Sequence, residues 1–227
     1  MPPFERFLDT FFNGTVIARY LPDILQGAFV TLQLSVLIII AGTLLGLALA
    51  ALRTYRVLPL TVVIVTFADV FRALPPLVLI LIVFFGLPNV GVVLSAYWVI
   101  FVVLTLVLAA FAEEIFWAGI LSIDSGQWQA ARSTGLSFSQ ALAWVILPQA
   151  VRLTVPPLTN RAIAITKSTA LGSVIGLPDL LGAATTAQSF SGNASPLMIA
   201  AIGYVIIFLP FAVLARWLET RFKWKRA

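Results

Sequence analysis

The residues of this sequence that could do chemistry are six ionisable side chains set within or at the edges of long apolar stretches. Three are acidic and three are basic: Asp69, Glu113, Glu114, Arg72, Arg161 and Lys167. In a lipid bilayer, each would cost about 2.5 to 3.5 kcal/mol at the centre of a helix if it had no partner. We therefore expect these side chains to pair, to face the interior of a helix bundle and to mark a functional site.

Arg72 is the most informative of the six because of its depth. It lies 13 residues after the start and 14 before the end of an apolar stretch, Pro59 to Gly86. Asp69 lies one helical turn earlier on the same face. The Pro75–Pro76 pair removes backbone donors and should break the helix, which frees this region to line a cavity where a transporter could bind its solute. Two roles stay open for Arg72: a strut paired with Asp69 or Glu114, or a ligand or gate for a substrate carboxylate.

Two neighbouring glutamates raise a similar choice. Glu113 and Glu114 point about 100° apart on a helix, so only one of them can fully face the interior. A salt bridge to Lys167 or Arg161 is one interpretation, and recognition of a substrate amino group is the other. Lys167 is followed by two hydroxyl residues, so one charge and two hydroxyls interrupt the fourth apolar stretch.

The absence of cysteine and histidine narrows the possible functions. It excludes disulfides, thiol nucleophiles, His-ligated metals and His-based acid–base catalysis. The sequence also has no Walker A pattern, G-x-x-x-x-G-K-[ST], so we expect no nucleotide site, no metal and no cofactor in this chain. An intramembrane enzyme would need a catalytic dyad, and no convincing one occurs in any apolar stretch. We expect a protein without a catalytic site of its own.

The elements that position these residues must be membrane-spanning helices. Hydrophobic residues make up 61% of the chain, charged residues make up 10%, and the mean hydropathy is +1.06. The apolar runs are about as long as the roughly 20 residues a bilayer requires, and they lack the alternation of strands. The sequence predicts an all-α integral membrane protein with five transmembrane helices: Gln26–Leu52, Pro59–Gly86, Val92–Ile115, Val155–Leu177 and Pro196–Leu218.

The distribution of Lys and Arg predicts the orientation of these helices. With the amino terminus outside and the carboxyl terminus in the cytoplasm, nine of the 14 basic residues lie on the cytoplasmic side and two lie outside. This excess is what the positive-inside rule requires. The basic tail from Phe222 to Ala227 would then anchor the last helix at anionic membrane lipid. We expect residues 1–227 to form a single transmembrane domain, with Phe4–Leu25 lying along the membrane surface.

A polar island, residues 116–151, becomes a cytoplasmic loop in this topology. It has helical propensity on both sides of Gly135, which predicts two short helices joined at that glycine, the second ending at Pro148. Its apolar side chains would make a poor solvated linker. They are Ala130, Ala131, Leu136, Phe138, Leu142 and Trp144. The residues alone leave open whether they dock a partner or pack under the protein's own bundle.

The island resembles the cytoplasmic loop of the permease subunits of ABC importers, E-A-A, three residues, Gly, nine residues, I-x-L-P. Here Gln129, Ala130 and Ala131 are followed at the same spacing by Gly135 and by Val145 to Pro148. Further stretches, among them "VFRALPPLVLILIVFFGLP" and "AEEIFWAGILSIDSGQWQAARSTGLS", resemble the polar amino acid subfamily. Members of this subfamily import histidine, arginine, glutamine, glutamate or opines.

This resemblance implies a type I ABC importer transmembrane fold and a subunit of an ATP-driven importer in the bacterial inner membrane. It implies three protein partners: a dimer of ATPase subunits that binds ATP and Mg, a second permease subunit, identical or homologous, and a periplasmic or extracellular solute-binding protein. Membrane lipid surrounds the chain, and no nucleic acid is involved. The resemblance assigns ATPase coupling to Gln129, Ala130, Ala131, Gly135, Leu136, Leu147 and Pro148. It favours Glu114 over Glu113, and the candidates for substrate binding or gating become Asp69, Arg72, Glu114, Lys167, Ser168 and Thr169.

Two other classes of function remain as alternatives. An ion-coupled secondary transporter could use Glu114 or Asp69 as its ion site, but it would not explain the island. A purely structural membrane anchor would not explain charges at mid-span. Dependence of transport on a separate ATPase distinguishes the importer from both.

Overall fold

A computed structural model of the chain describes the backbone of residues 2–222 and the side chains of residues 2–217. The basic tail predicted to anchor the last helix extends beyond this part, because Lys223, Lys225 and Arg226 lie outside the described residues. The described chain is built from ten α-helices: α1 Pro3–Phe12, α2 Gly14–Arg53, α3 Leu58–Ala73, α4 Pro76–Gly86, α5 Ala96–Leu121, α6 Ser125–Ser133, α7 Phe138–Ala141, α8 Leu147–Lys167, α9 Leu180–Ser191 and α10 Ser195–Phe222.

The five predicted spans all have counterparts in these helices. Four helical runs of the described residues are long and apolar enough to cross a membrane: Pro3–Arg53, Ala96–Leu121, Phe138–Ser191 and Ser195–Trp217. A broken pair, Leu58–Ala73 and Pro76–Val90, makes the fifth. The break falls where Leu74 adopts an extended backbone (φ −87°, ψ 135°), the conformation that a following proline enforces. The predicted all-α membrane fold and its proline break are confirmed.

Several predicted boundaries are wrong. The first helix begins at Gly14 rather than Gln26, because Pro22 is accommodated inside it, and the third continues to Leu121 rather than Ile115. Pro148 does not end the second island helix. A π-helical turn, Leu142–Ile146, joins α7 to α8, and the N–H of Leu147 donates across it to the carbonyl of Leu142. Because proline has no N–H to satisfy, it follows this turn at the start of α8 without loss.

One helix was not predicted at all. Helix α9 has the sequence "LLGAATTAQSFS", which is rich in small and hydroxyl residues and shows no apolar stripe long enough for a span. Its start carries a recognisable signal, since the Asp179 carboxylate caps the helix by accepting from the N–H of Gly182 at 2.9 Å. An aspartate at this position is the local pattern from which the helix could have been predicted.

The contacts divide the chain into two compact units. The first comprises Met1–Leu37, Pro76–Leu104 and Thr166–Phe211. Its core holds Ile24 of α2 against Leu180 and Ala184 of α9 and Ala200 of α10. Thr31 fixes the start of α9, because its hydroxyl oxygen accepts from the N–H of Leu180 at 3.0 Å.

The second unit comprises Ile38–Pro75, Thr105–Ile165 and Ala212–Ala227. Its core is formed by Ala50, Ala112, Phe116, Ile120, Leu142, Ile146 and Ala150. Here α2 and α5 approach closely, since a Cβ at Gly46 would lie 2.5 Å from the Cβ of Ala112. This is the close backbone approach that small residues at four-residue spacing permit.

Candidate functional site

The second unit gathers three of the predicted substrate residues into one ion cluster. Arg72 of α3 bonds the Asp69 carboxylate at 2.7 Å and the Glu114 carboxylate of α5 at 2.5 Å. Its Nε donates to the carbonyl of Ala68 at 3.2 Å, which orients the guanidinium. The predicted pairing of Arg72 with Asp69 or Glu114 is therefore confirmed for both partners.

The cluster is accessible rather than sealed in the bundle. The side chains of Asp69 and Glu114 are 61% and 49% exposed, and that of Arg72 is 27% exposed. It lies in the last turn of α3, directly before the chain breaks at Leu74. An arginine held by two carboxylates at the end of an interrupted helix can exchange one of them for the carboxylate of a solute.

The other glutamate is the one that is buried, and here the prediction was wrong. The side chain of Glu113 has no exposed surface, and its ion partner is Arg53 at the end of α2, at 2.9 Å. Arg53 also lies over the ring of Trp117, 4.5 Å from its centre. The expectation that a glutamate pairs with Lys167 or Arg161 is not met. The reason is geometric: a helix presents Glu113 to α2, while Glu114 turns toward α3.

The remaining charged candidates have other surroundings. Arg161 lies over the ring of Phe111, 3.7 Å from its centre. Lys167 is exposed, in the first unit, with its Nζ 5.9 Å from the ring centre of Phe208. The α-helix ends at Lys167 and continues as a 3-10 helix over Ser168–Ile175, within the predicted fourth span.

The hydroxyl that follows this change is not free to bind a solute. Thr169 is fully buried, and its hydroxyl donates to the carbonyl of Thr166 at 2.9 Å. The structure therefore brings together Asp69, Arg72 and Glu114, whereas Lys167, Ser168 and Thr169 belong to the other unit.

The predicted ATPase-coupling residues lie on α6, on the turn that follows it and at the start of α8. We call the stretch that contains them, Ser125–Pro148, the coupling segment. Helix α6 is capped by Asp124, whose carboxylate accepts from the N–H of Gly126 at 2.6 Å. Helix α7 begins with a capping box formed by Ser137 and Gln140. Between them, Gly135 adopts φ +89°, a left-handed conformation that favours glycine. The two predicted helices joined at Gly135 are confirmed.

The coupling segment has an inner face that packs under the protein's own bundle and an outer face that is exposed, so docking of a partner on the outer face stays a prediction. Ala131 and Leu142 are buried, Leu142 in the core of the second unit. Gln129, Ala130 and Pro148 are exposed, and the Trp144 side chain is 64% exposed. Leu136 and Leu147 are half-buried. One face of the segment therefore packs against the second unit, and the opposite face is exposed.

An aromatic cluster fixes the segment to the end of α2, and sequence reasoning missed it. Phe138 stacks on Trp128 with ring centres 5.2 Å apart and meets Tyr55 edge-on at 5.3 Å. The Tyr55 hydroxyl donates to Ser139 at 2.9 Å. Tyr55 and Ser139 are 84 residues apart in sequence, and no local pattern indicates such a pairing.

The fold, the broken span and the coupling segment together define a transport permease of the membrane. A family profile described as the binding-protein-dependent transport system inner membrane component matches residues 42–224. The chain belongs to this family.

Curated relatives agree with this assignment. The probable glutamine ABC transporter permease protein GlnP of Bacillus subtilis is 35% identical over 214 residues, 92% of this chain and 98% of the relative. The arginine transport system permease protein ArtQ of the same organism is 33% identical over 214 residues, 93% of this chain and 97% of the relative. The ion-coupled alternative has no support among these relatives.

Solved structures confirm the type I importer fold. The chain is similar to a crystal structure of an amino acid ABC transporter with histidines, with a TM-score of 0.81 and 33% identity over 90% of this chain and 96% of that chain. It also resembles an inward-facing MetNI methionine ABC transporter, with a TM-score of 0.63 over 86% of this chain and 95% of that chain. At 20% identity, the second likeness shows the fold alone.

Proposed function

We propose that this chain is the transmembrane subunit of an importer that moves polar or charged amino acids, or related opines, across the bacterial inner membrane. A separate dimer of ATPase subunits binds ATP and Mg and drives the transport. The chain pairs with a second permease, identical or homologous, and receives its solute from a binding protein on the outer face. It contains no catalytic site and no cofactor of its own.

The observation that carries the ATP-driven part of this proposal is the outer face of the coupling segment. Its inner face is packed into the core of the second unit, so a push on the exposed Ala130 or Trp144 is transmitted to α5 and α8 rather than absorbed by a loose loop. Gly135 sets the angle between α6 and α7 that shapes this face. The ATPase contacts are Gln129, Ala130, Ala131, Gly135, Leu136, Leu147 and Pro148, of which Ala131 acts from the buried side.

The ion cluster supports an amino acid as the solute. An α-amino acid carries a carboxylate and an ammonium group, and the cluster offers an arginine beside two exposed carboxylates. The solute carboxylate would replace that of Asp69 on Arg72, and the ammonium group would bind Glu114 through a charge-assisted hydrogen bond. Lys167, Ser168 and Thr169 stay candidates for gating, with the buried Thr169 acting through the helix backbone.

The test of the proposed function is stimulation of a partner ATPase. The permease is reconstituted in vesicles with its ATPase, and ATP hydrolysis is measured with and without solute-loaded binding protein. We expect hydrolysis to rise when the loaded binding protein is added, and only in vesicles that contain the permease. Hydrolysis that is the same with and without the permease would contradict the proposal.

A further inference from the structure

A cavity of about 760 Å³ opens in the second unit beside the coupling segment. Its lining includes four aromatic rings, those of Tyr55, Trp117, Trp128 and Phe138, and the side chain of Arg56. The volume is in the range of sites that hold small molecules or headgroups. The ion cluster, Ala130 and Trp144 do not line it, and of the ATPase contacts proposed above Gln129 is the one among the described lining residues.

The cavity lies beside the ends of two helical runs that are long and apolar enough to cross a membrane. One run ends at Arg53 and the other ends at Leu121. Tyr55 and Trp117 lie within a few residues of these ends. Tyrosine and tryptophan concentrate in this interfacial layer, where one end of the ring system is apolar and the other is hydrated. A ligand at this depth is in contact with lipid headgroups.

The charge of the cavity selects an anion. Arg56 is the only charged side chain among the described residues that line it. The nearby Arg53 is engaged by Glu113, whereas Arg56 is exposed. The aromatic walls, together with the 58% exposed Leu121, suit the first methylenes of an acyl chain rather than a small hydrated ion. The combination fits a molecule with an anionic head and an apolar body.

The backbone of Arg56 supplies an independent observation. It has φ +56° and is the only non-glycine residue with positive φ in the described chain. This position follows the end of α2, and helices that end in a left-handed residue usually place a glycine there because a side chain is disfavoured in that region. A residue held in such a conformation points to a function for its side chain.

From these observations we infer that the cavity is a binding site for an anionic phospholipid, with the lipid phosphate on Arg56 and the start of an acyl chain on Trp117 and Trp128. The bound lipid would lie against the rings that join α2 to the coupling segment. This site goes beyond the proposed transport function and requires only that the chain is embedded in a membrane.

The test uses the full chain in phosphatidylcholine vesicles that contain a small fraction of phosphatidylglycerol, with bromine on the acyl carbons nearest the glycerol. Bromine quenches tryptophan fluorescence on contact, so with the other four tryptophans of the sequence (Trp98, Trp144, Trp217 and Trp224) replaced by phenylalanine, quenching reports lipid beside Trp117 and Trp128. We expect brominated phosphatidylglycerol to quench at lower mole fraction than brominated phosphatidylcholine, by about fivefold, the contribution of one basic residue at a membrane surface.

The decisive variant is Arg56→Gly, which removes the charge and relieves the backbone, so that unfolding cannot explain a loss of binding. The preference for phosphatidylglycerol should disappear in Arg56→Gly and persist in Arg56→Lys. The matched control is Arg152→Gln, which removes an exposed arginine of α8 and should leave the preference unchanged.

Three outcomes would overturn the inference. The first is a preference that survives in Arg56→Gly. The second is loss of the preference when inorganic phosphate is added at an ionic strength matched by chloride, because the ligand would then be a free anion. The third is loss of the preference when the ATPase is added, because the cavity would then belong to the protein interface. Persistence of the preference in the last two conditions supports the lipid.

Discussion

The Arg53 and Glu113 side chains form the most deeply buried charge pair of the second unit. The pair is made through one bond of 2.9 Å, and the Nε of Arg53 and the second carboxylate oxygen of Glu113 are buried without a hydrogen-bond partner. A pair with such incomplete hydrogen bonding contributes little net stability, but either partner alone is costly. The cost comes from leaving one charge uncompensated.

We predict that Arg53→Ala lowers the free energy of unfolding by about 3 kcal/mol, the lower end for a broken buried pair, since Arg53 is 17% exposed. The double variant Arg53→Met with Glu113→Leu should recover most of this loss, because neither charge is then buried. Reversible unfolding in mixed detergent micelles measures both. The control is Glu114→Gln, whose exposed carboxylate should change the stability by less than about 1 kcal/mol. An Arg53→Ala variant as stable as the wild type would contradict this prediction.

We predict that Arg72 binds the solute and contributes little to the stability of the fold. Because its two partners are about half exposed or more, Arg72→Ala leaves no sealed charge behind, and assembly with the ATPase should be retained. Uptake should fall below a tenth of the wild-type rate, the effect of losing a charge-assisted hydrogen bond of about 1.5 to 3 kcal/mol. Radiolabelled uptake and co-purification of the ATPase are measured on the same preparation. Unchanged uptake would leave Arg72 as a strut.

At the scale of elements, the coupling segment depends on the left-handed turn at Gly135. A Cβ at this residue would meet nothing within 4 Å, so a side chain fits in the free permease. Aspartate also tolerates the left-handed region better than most residues. We predict that Gly135→Asp leaves the permease folded and abolishes binding of the ATPase, because a charge is placed on the outer face.

The matched control for this variant is Gly91→Asp. Gly91 has φ +82° and equally open surroundings, but it lies in the first unit, outside the coupling segment. Pull-down of the ATPase at wild-type yield by the Gly135 variant, or an equal loss in the Gly91 variant, would contradict the assigned role.

How far the sequence predicts these elements depends on whether the signal is local. Hydropathy gave the five spans, and the Pro75–Pro76 pair and Gly135 marked the break and the joint, because each constrains its own backbone. The prediction that Pro148 ends a helix was wrong. A proline only lacks a backbone N–H donor, and after the π turn it is accommodated at the start of the next helix. The partner of Glu113 could not be predicted, because Arg53 is 60 residues away and the rotation of two helices decides the contact.

For the whole molecule, the orientation in the membrane is still a prediction. The chain has no cysteine, so single cysteines can be introduced without removing any. We expect Asn89→Cys, between the second and third spans, to react with an impermeant maleimide on intact cells. Ser133→Cys on α6 should react only after the cells are permeabilised. Both side chains are exposed. The reverse pattern of labelling would contradict an outer amino terminus.

The candidate substrate residues are divided between the two units. The ion cluster belongs to the second unit and Lys167 to the first, so the candidate residues are not confined to one compact unit. The coupling segment belongs to the second unit, together with the ion cluster. This arrangement suits a subunit in which ATP hydrolysis outside the membrane acts on a solute site within it.

ATP-driven import of a polar amino acid can be measured as uptake into vesicles that hold the permease, its ATPase and its binding protein, with a panel of acidic, basic and neutral polar amino acids. We expect uptake of one class of amino acid, dependent on ATP and on the ATPase. Uptake that follows an ion gradient without ATP, or that persists without the ATPase, would contradict it.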